Sequence, residues 1–394
     1  MLEEIFGAYK INLLNEVEIN EAEIIAFGDA HANPMQVIYQ MLHTGIGYMP
    51  PDKLRRLAEI YARIDQETSI SFTREVTEEE SQEVAMSELI KLDEIREACE
   101  LIHKYFEYTG GSKTFVHLGD VFGDRGACDE IMLALLKEIK AQAEQAGGEF
   151  VILASNHGTF LEDIGYEELD FDFYNQTRSA RVGITCNRNY IRDLGRFLVE
   201  NTQLFYFDRR TNTFFTHCPI TREDLGKFVD QANKVIADPT KYGLDPSQFN
   251  FGPLEIPQND DPEKISQFVE RANQYYTAVM SWFFDFEDLS QSPDFKDFNK
   301  KRDLLQVESL TAVVGTRIRL RNQGDNPAKP FNVTMVHGHD DEGKYNEVRD
   351  VYNLNNYAGQ LSAYRDVGYE RHKRSEQNLY IYTNNAKSAK IHQN

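Results

Sequence analysis

Cysteine is sparse in this chain of 394 residues: four occur, at Cys99, Cys128, Cys186 and Cys218, with no CxxC spacing and no dense framework. That excludes a disulfide scaffold and leaves reduced thiols, in a cytoplasmic, reducing compartment, as the expectation. Long apolar runs are missing too. None approaches the roughly 20 residues that a membrane-crossing helix needs, so membrane insertion is not expected. The first residues, Met1 to Phe6, lack a basic segment followed by an apolar one, and no signal peptide is expected there. Basic residues are outnumbered, 42 Lys and Arg against 64 Asp and Glu, for a formal net charge of −22. Such a field repels nucleic acid and anionic membranes at long range, so neither is expected as a partner. Internal repeats and low-complexity tracts are absent as well.

What is present is an ordinary globular balance, 41% hydrophobic and 27% charged residues. The length favours one large domain over 1–394 with insertions. Ile24 to Phe27 is a compact apolar run that stops at Gly28-Asp29 and reads as a buried strand; Asn33-Pro34 then opens a helix with Met35, Val37, Ile38, Met41 and Leu42 on its apolar stripe. Residues 51–107 form an inserted helical hairpin. Leu54, Leu57, Ile60 and Ile64 set the period of its first helix. Thr77 and Glu80 make a capping box for the second, which carries Val84, Leu89, Leu92, Ile95, Leu101, Ile102 and Tyr105. This hairpin reads as a packing element, with a recognition arm as the alternative.

A second strand, Phe115 to Leu118, delivers Gly119-Asp120. A helix from Ile131 to Ala146 follows, stopped by Gly147-Gly148, and the strand Phe150 to Ala154 then delivers Asn156 and His157. That succession predicts a parallel pair with a right-handed crossover. Residues 160–187 read as a loop near the site, and a helix over 190–200 leads to a hairpin whose second strand, 213–217, ends in His217. Residues 221–310 read as a mainly helical insertion in which Trp282, Phe283 and Phe284 cover the core. Phe331 to Val336 is a strand leading to His337-Gly338-His339, segments 351–354 and 379–383 close the fold, and 384–394 fray.

Five predicted strand ends therefore carry acidic, amide or imidazole groups: Gly28-Asp29-Ala30-His31, Gly119-Asp120 with Asp124-Arg125-Gly126, Ser155-Asn156-His157-Gly158, Thr216-His217 and His337-Gly338-His339. Open α/β sheets present ligands at the carboxyl ends of their strands. An isolated Asp or His at such a place is ordinarily a cap or turn residue; five in succession supply the oxygen and imidazole donors of a two-metal hydrolytic site.

Their order resembles the calcineurin-like metallophosphoesterase superfamily, and within it the phosphoprotein phosphatases. That pattern runs GDxH, GDxxDRG, GNH, H and GH; this chain has GDAH, GDVFGDRG, SNHG, FTHC and HGHD. The long insertions are similar to those of bacterial effector phosphatases of the Legionella Wip type. The resemblance implies an α/β fold, a metallophosphoesterase-like β-sandwich flanked by helices. It implies two divalent metal ions, manganese foremost, with iron or zinc also suited. Asp29, His31 and Asp120 would hold the first, Asp120 would bridge, and Asn156, His217 and His339 would complete the second. Arg125 and Asn156 would bind the substrate phosphate, His157 would protonate the leaving oxygen, and Asp124 would orient His157. Arg317 stands as the candidate for a second arginine.

The activity so implied is hydrolysis of phosphoserine and phosphothreonine monoesters in a phosphorylated protein by a metal-bound hydroxide. A phosphotyrosine-specific enzyme on the same fold, a nucleotide or dinucleotide phosphohydrolase, and a catalytically inactive binding module remain open. An effector of this kind would be secreted into a host cytosol. Two positions depart from the pattern: Gly123 lengthens the second motif by one residue, and Gly158 stands where an acidic residue is usual. His117 and His337 have no counterpart and read as structural. A thiol mechanism at Cys218 is rejected, because the position six residues on, where an arginine would cradle phosphate, is Asp224.

Overall fold

The computed structural model describes residues 22–73, 81–122, 129–156, 196–283, 310, 313–314, 329–339, 351–354, 379–383 and 388–392. Asp124, Arg125, His157 and Arg317 lie outside them, as do the Thr77–Glu80 capping box and the 160–187 loop. So do the side chains of Trp282 and Phe283, and residue Phe284.

Along the chain run β1 (Ala22–Phe27), α1 (Pro34–His43), β2 (Gly47–Tyr48), α2 (Pro51–Thr73), α3 (Ser81–Tyr105), β3 (Glu107–Tyr108) and β4 (Thr114–His117). Next come α4 (Asp129–Gln145), β5 (Glu149–Leu153), β6 (Thr202–Gln203), β7 (Tyr206–Asp208), β8 (Thr213–Phe215) and α5 (Arg222–Ala237). The last are α6 (Pro262–Phe283), β9 (Thr334–His337), β10 (Val351–Asn353), β11 (Leu379–Thr383) and β12 (Ser388–His392). The fold is mixed α/β, with parallel strand pairs and helices. The chain divides into two compact units at Phe150/Val151, inside β5, and the second unit ends at residue 355.

In the first unit β1 is the hub. It pairs parallel with β4, Ile24 opposite Thr114 through Phe27 opposite His117. On its other edge it pairs antiparallel with β11, which in turn pairs antiparallel with β12. Residues 384–394 were expected to fray, so β12 is a correction: ladder hydrogen bonds to β11 order a segment whose composition carries no strand signal. Ile24 to Phe27 and Phe115 to Leu118 are fully buried, the continuous apolar pattern of parallel strands covered on both faces. Helix α1 starts at an Asn33 N-cap whose side chain accepts from the Gln36 amide, with Pro34 in its first turn.

Helices α2 and α3 occupy the sequence of the expected hairpin. Arg56 clamps Glu97 through two donors at 2.7 and 2.6 Å, and Arg63 Nε donates to Glu94 over 2.8 Å. Helix α3 continues onto α4, where His103 Nδ1 meets Glu138 at 2.5 Å. Gln142 accepts from the Tyr108 amide and donates to the Phe106 carbonyl, tying β3 to α4. Helix α4 stops where Gly147 takes a φ of 77°, open to glycine without strain.

The second unit has a four-stranded sheet in the order β10, β9, β8, β7. Strands β7 and β8 form the antiparallel hairpin, while β8, β9 and β10 are mutually parallel. Helices α5 and α6 contribute Phe228, Phe268 and Tyr275, whose rings meet Phe205, Phe249 and Phe331 in a buried aromatic core. Asn273 on α6 accepts from the Leu204 and Phe205 amides and donates to the Phe205 carbonyl, fixing the chain at the entry to β7.

Candidate functional site

In the first unit the loops leaving β1 and β4 continue the parallel ladder beyond the strands. The Leu118 amide donates to the Phe27 carbonyl at 2.9 Å and the Asp29 amide to Gly119 at 3.1 Å. The His31 amide then donates to Asp120, and the Ala32 amide to Val121, both at 2.7 Å. A glycine is required at position 28, because a Cβ there would sit 2.8 Å from the Leu118 Cβ. Beyond it the backbone turns left-handed at Asp29, His31 and Ala32, with φ of 58°, 44° and 57°, and again at Gly119 and Asp120, with φ of 99° and 49°. Residues with a Cβ are uncommon in that region, and it costs about 1–3 kcal/mol each where the surroundings impose it. Backbone strain gathered in this way is characteristic of functional sites.

These turns bring three side chains together. The ligating atoms of Asp29, His31 and Asp120 all lie within 4.8 Å of one another, and all three residues are at most 1% exposed. His31 Nε2 stands 3.6 Å from Asp120 Oδ2. Two carboxylates buried side by side repel each other and have lost their hydration, a cost that a bound cation or a shared proton relieves. Two carboxylate oxygens and an imidazole nitrogen are donors that suit Mn, Fe or Zn. The residues fit a divalent ion.

The second unit assembles the other three expected ligands. Ser155 and Asn156 follow β5, where the Ala154 amide donates to the Gln203 carbonyl at 2.7 Å. His217 and His339 lie just past the carboxyl ends of the neighbouring strands β8 and β9. The Thr216 amide donates to Val336 and the Gly338 amide to His217, at 3.0 and 2.8 Å. His217 Nε2 reaches Asn156 Oδ1 at 3.0 Å, and the His217 and His339 rings are 4.8 Å apart. His339 again has a left-handed φ, 60°. Asn156, His217 and His339 are all buried. One amide oxygen and two imidazoles also fit a borderline divalent ion.

Asp124, Arg125 and His157 lie outside the described residues. His117 and His337, which read from the sequence as structural, are both buried. The left-handed turns have no signature in the sequence beyond the glycine beside Asp29, Asp120 and His339. Cys218 is buried, with its Sγ 3.1 Å from the Val313 carbonyl, and Asp224 closes a capping box with Thr221 at the start of α5. Both are structural. Among titrating groups near the second loop, burial and then the Asp129 carboxylate push Glu130 up to about 7.

A family model described as the WipA-like phosphatase domain matches residues 114–360, a span holding Asp120, Asn156, His217 and His339. No curated protein matches the chain. Among solved structures, the phosphatase domain of the Legionella effector WipB is similar at 13% identity, over 84% of this chain and 97% of that one, with a TM-score of 0.47. The cold-active protein tyrosine phosphatase of a Shewanella species is similar at 14% identity, over 94% of this chain and 80% of that one, with a TM-score of 0.34. With its family model matching well over half of its length, the chain belongs to the WipA-like phosphatase domain family.

Proposed function

We propose that this phosphatase is a metal-dependent enzyme of the metallophosphoesterase type that hydrolyses phosphoserine and phosphothreonine monoesters in protein substrates. The observation that carries the reading is the gathering of Asp29, His31 and Asp120, and of Asn156, His217 and His339, as two buried ligand sets at the carboxyl ends of parallel strands. In this reading each set holds one divalent ion, manganese foremost. When bound, such a pair of ions supplies Lewis acidity and a water nucleophile at neutral pH.

The chain's own residues do the rest. The left-handed turns at Asp29, Asp120 and His339 hold donors in place before any ion arrives, which limits the reorganisation that binding requires. Arg125 grips two phosphoryl oxygens with its planar fork, a task for which lysine is a poor substitute. Asn156 donates to the substrate phosphate. His157 gives a proton to the leaving serine or threonine oxygen, a contribution of about 10²–10⁴-fold, and Asp124 keeps its ring oriented. With a net charge of −22 the chain repels phosphoproteins at long range, so local cations are what make the site attractive to them. As a Wip-type effector, the enzyme would act in a host cytosol.

The test is turnover of matched phosphoserine, phosphothreonine and phosphotyrosine peptides with added manganese, beside an Asp120→Asn control. Manganese-dependent release of phosphate from the first two, lost in the control, is expected. Activity confined to phosphotyrosine would overturn the substrate assignment, and activity indifferent to chelation would overturn the metal.

A further inference from the structure

Two buried histidines outside the ligand sets occupy matching places. His117 is the last residue of β4 and His337 the last of β9. In each case Nδ1 reaches the backbone of the glycine that stands directly before a left-handed candidate ligand. The Gly119 amide donates to His117 Nδ1 at 3.3 Å, and Asp120 follows with a φ of 49°. His337 Nδ1 lies 2.9 Å from the Gly338 carbonyl, to which it can only donate, and His339 follows with a φ of 60°. The two rings therefore need opposite states at Nδ1, bare in His117 and protonated in His337. His117 is also packed edge-on against Phe27, with centroids 4.9 Å apart. The Gly338 amide donates to His217, so that residue is held at its N–H and at its C=O.

Glycine is the most permissive backbone position, so a glycine just before a ligand is a swivel. A residue with a Cβ keeps a left-handed φ only where its surroundings over-determine it. We propose that His117 and His337 are positioning residues, each locking through Nδ1 the glycine swivel that aims a metal ligand, Asp120 in one unit and His339 in the other. The inference rests on the metal-dependent reading above and extends it to two residues outside the two candidate ligand sets.

Four variants of the full chain test it. His117→Phe keeps a ring against Phe27 without an acceptor, whereas His117→Asn offers an amide oxygen near the Nδ1 position. His337→Phe removes the donor and His337→Asn restores one. Manganese affinity is read by calorimetry, fold by melting temperature, and the Gly119 clasp by amide hydrogen exchange. Groups that orient metal ligands cost about 10–100-fold in affinity when lost, and that is the loss expected of each Phe variant. The Asn variants are expected to recover most of it, even where their melting temperatures fall below those of the Phe variants. Phe variants that bind manganese like the parent, or losses that simply track melting temperature across all four, would overturn the positioning role. A parent chain that binds no manganese would overturn the metal reading instead. The clasp is then decided by Gly119: slow exchange in the parent and fast exchange in His117→Phe supports it, and equal rates overturn it.

Discussion

The backbone amide of His31 donates to the carbonyl of Asp120 over 2.7 Å, so two candidate ligands from different strands are tied to each other by main chain, with His31 Nε2 standing 3.6 Å from Asp120 Oδ2. The loops after β1 and β4 are a single hydrogen-bonded unit, and anything that parts them disturbs Asp29, His31 and Asp120 together. Their donors converge because parallel strands in register end at the same edge.

Gly28 is where that unit is most easily parted. A side chain there would press its Cβ to within 2.8 Å of the Leu118 Cβ, on backbone-supported atoms that cannot swing away. Gly28→Ala is expected to destabilise the fold by about 1–3 kcal/mol, the usual range for overpacking, and Gly28→Val by more. Calorimetric manganese titration beside thermal melting checks this. Affinity should fall even at temperatures where the variant remains folded, and unchanged affinity in a folded variant would contradict the coupling of the two loops.

Metal stoichiometry separates the two ligand sets. Asp29→Asn removes a carboxylate from the first set only, and His217→Ala removes an imidazole from the second set only. Each single variant is expected to retain one manganese per chain where the parent retains two, by elemental analysis after dialysis. Loss of both ions from either variant would mean that the sites fill only together.

Much of this is legible in the sequence. Apolar runs that stop at Gly28-Asp29 and Gly119-Asp120 announce buried strands with polar ends, and they are β1 and β4. The Leu54, Leu57, Ile60 and Ile64 period announces α2, and Gly147 announces the end of α4. Other features leave no such trace. The residues Ser-Ala-Lys-Ile-His of β12 alternate polar and apolar over only five positions and hold a single β-branched residue, Ile391, and their strand is completed by the ladder that β11 offers. Strands β2 and β3, two residues each, are shorter than any period. The unit boundary at Phe150/Val151 falls inside an apolar strand, where composition does not change. At His117 and His337 the residue type alone does not say whether a ring packs, titrates or clasps a peptide.

The hairpin clamp is expected to matter little to stability. Arg56 and Glu97 make a two-pronged pair, but both side chains are about two-fifths exposed, at 39% and 42%. Arg56 holds the Glu97 carboxyl below its usual value of 4.5. That contribution is present above pH 4.5 and is lost as pH falls through the lower folded value. Arg56→Ala should cost about 0.2–1 kcal/mol by urea unfolding at neutral pH, less at high salt, as exposed pairs do. A much larger loss would show that the pair organises the whole hairpin.

Glu130 should bend the stability profile the other way. It lies in the first turn of α4 beside Asp129, and its carbonyl faces the Cys99 thiol from α3 at 3.9 Å. Burial, reinforced by the Asp129 carboxylate, pushes its carboxyl from 4.5 up to about 7. Between those two values the folded chain keeps a proton that the unfolded chain has released, so this group's contribution is intact below pH 4.5 and is lost as pH rises toward and past 7. The whole effect is at most about 3 kcal/mol, from 1.36 kcal/mol per unit of pKa difference. Glu130→Gln keeps the shape and removes the titration. Urea unfolding from pH 5 to pH 8 should therefore find the variant gaining on the parent as pH rises, and standing clearly more stable at pH 8. A constant difference between the two across that range would mean that Glu130 titrates alike in the folded and unfolded chain, and that its burial is relieved by solvent.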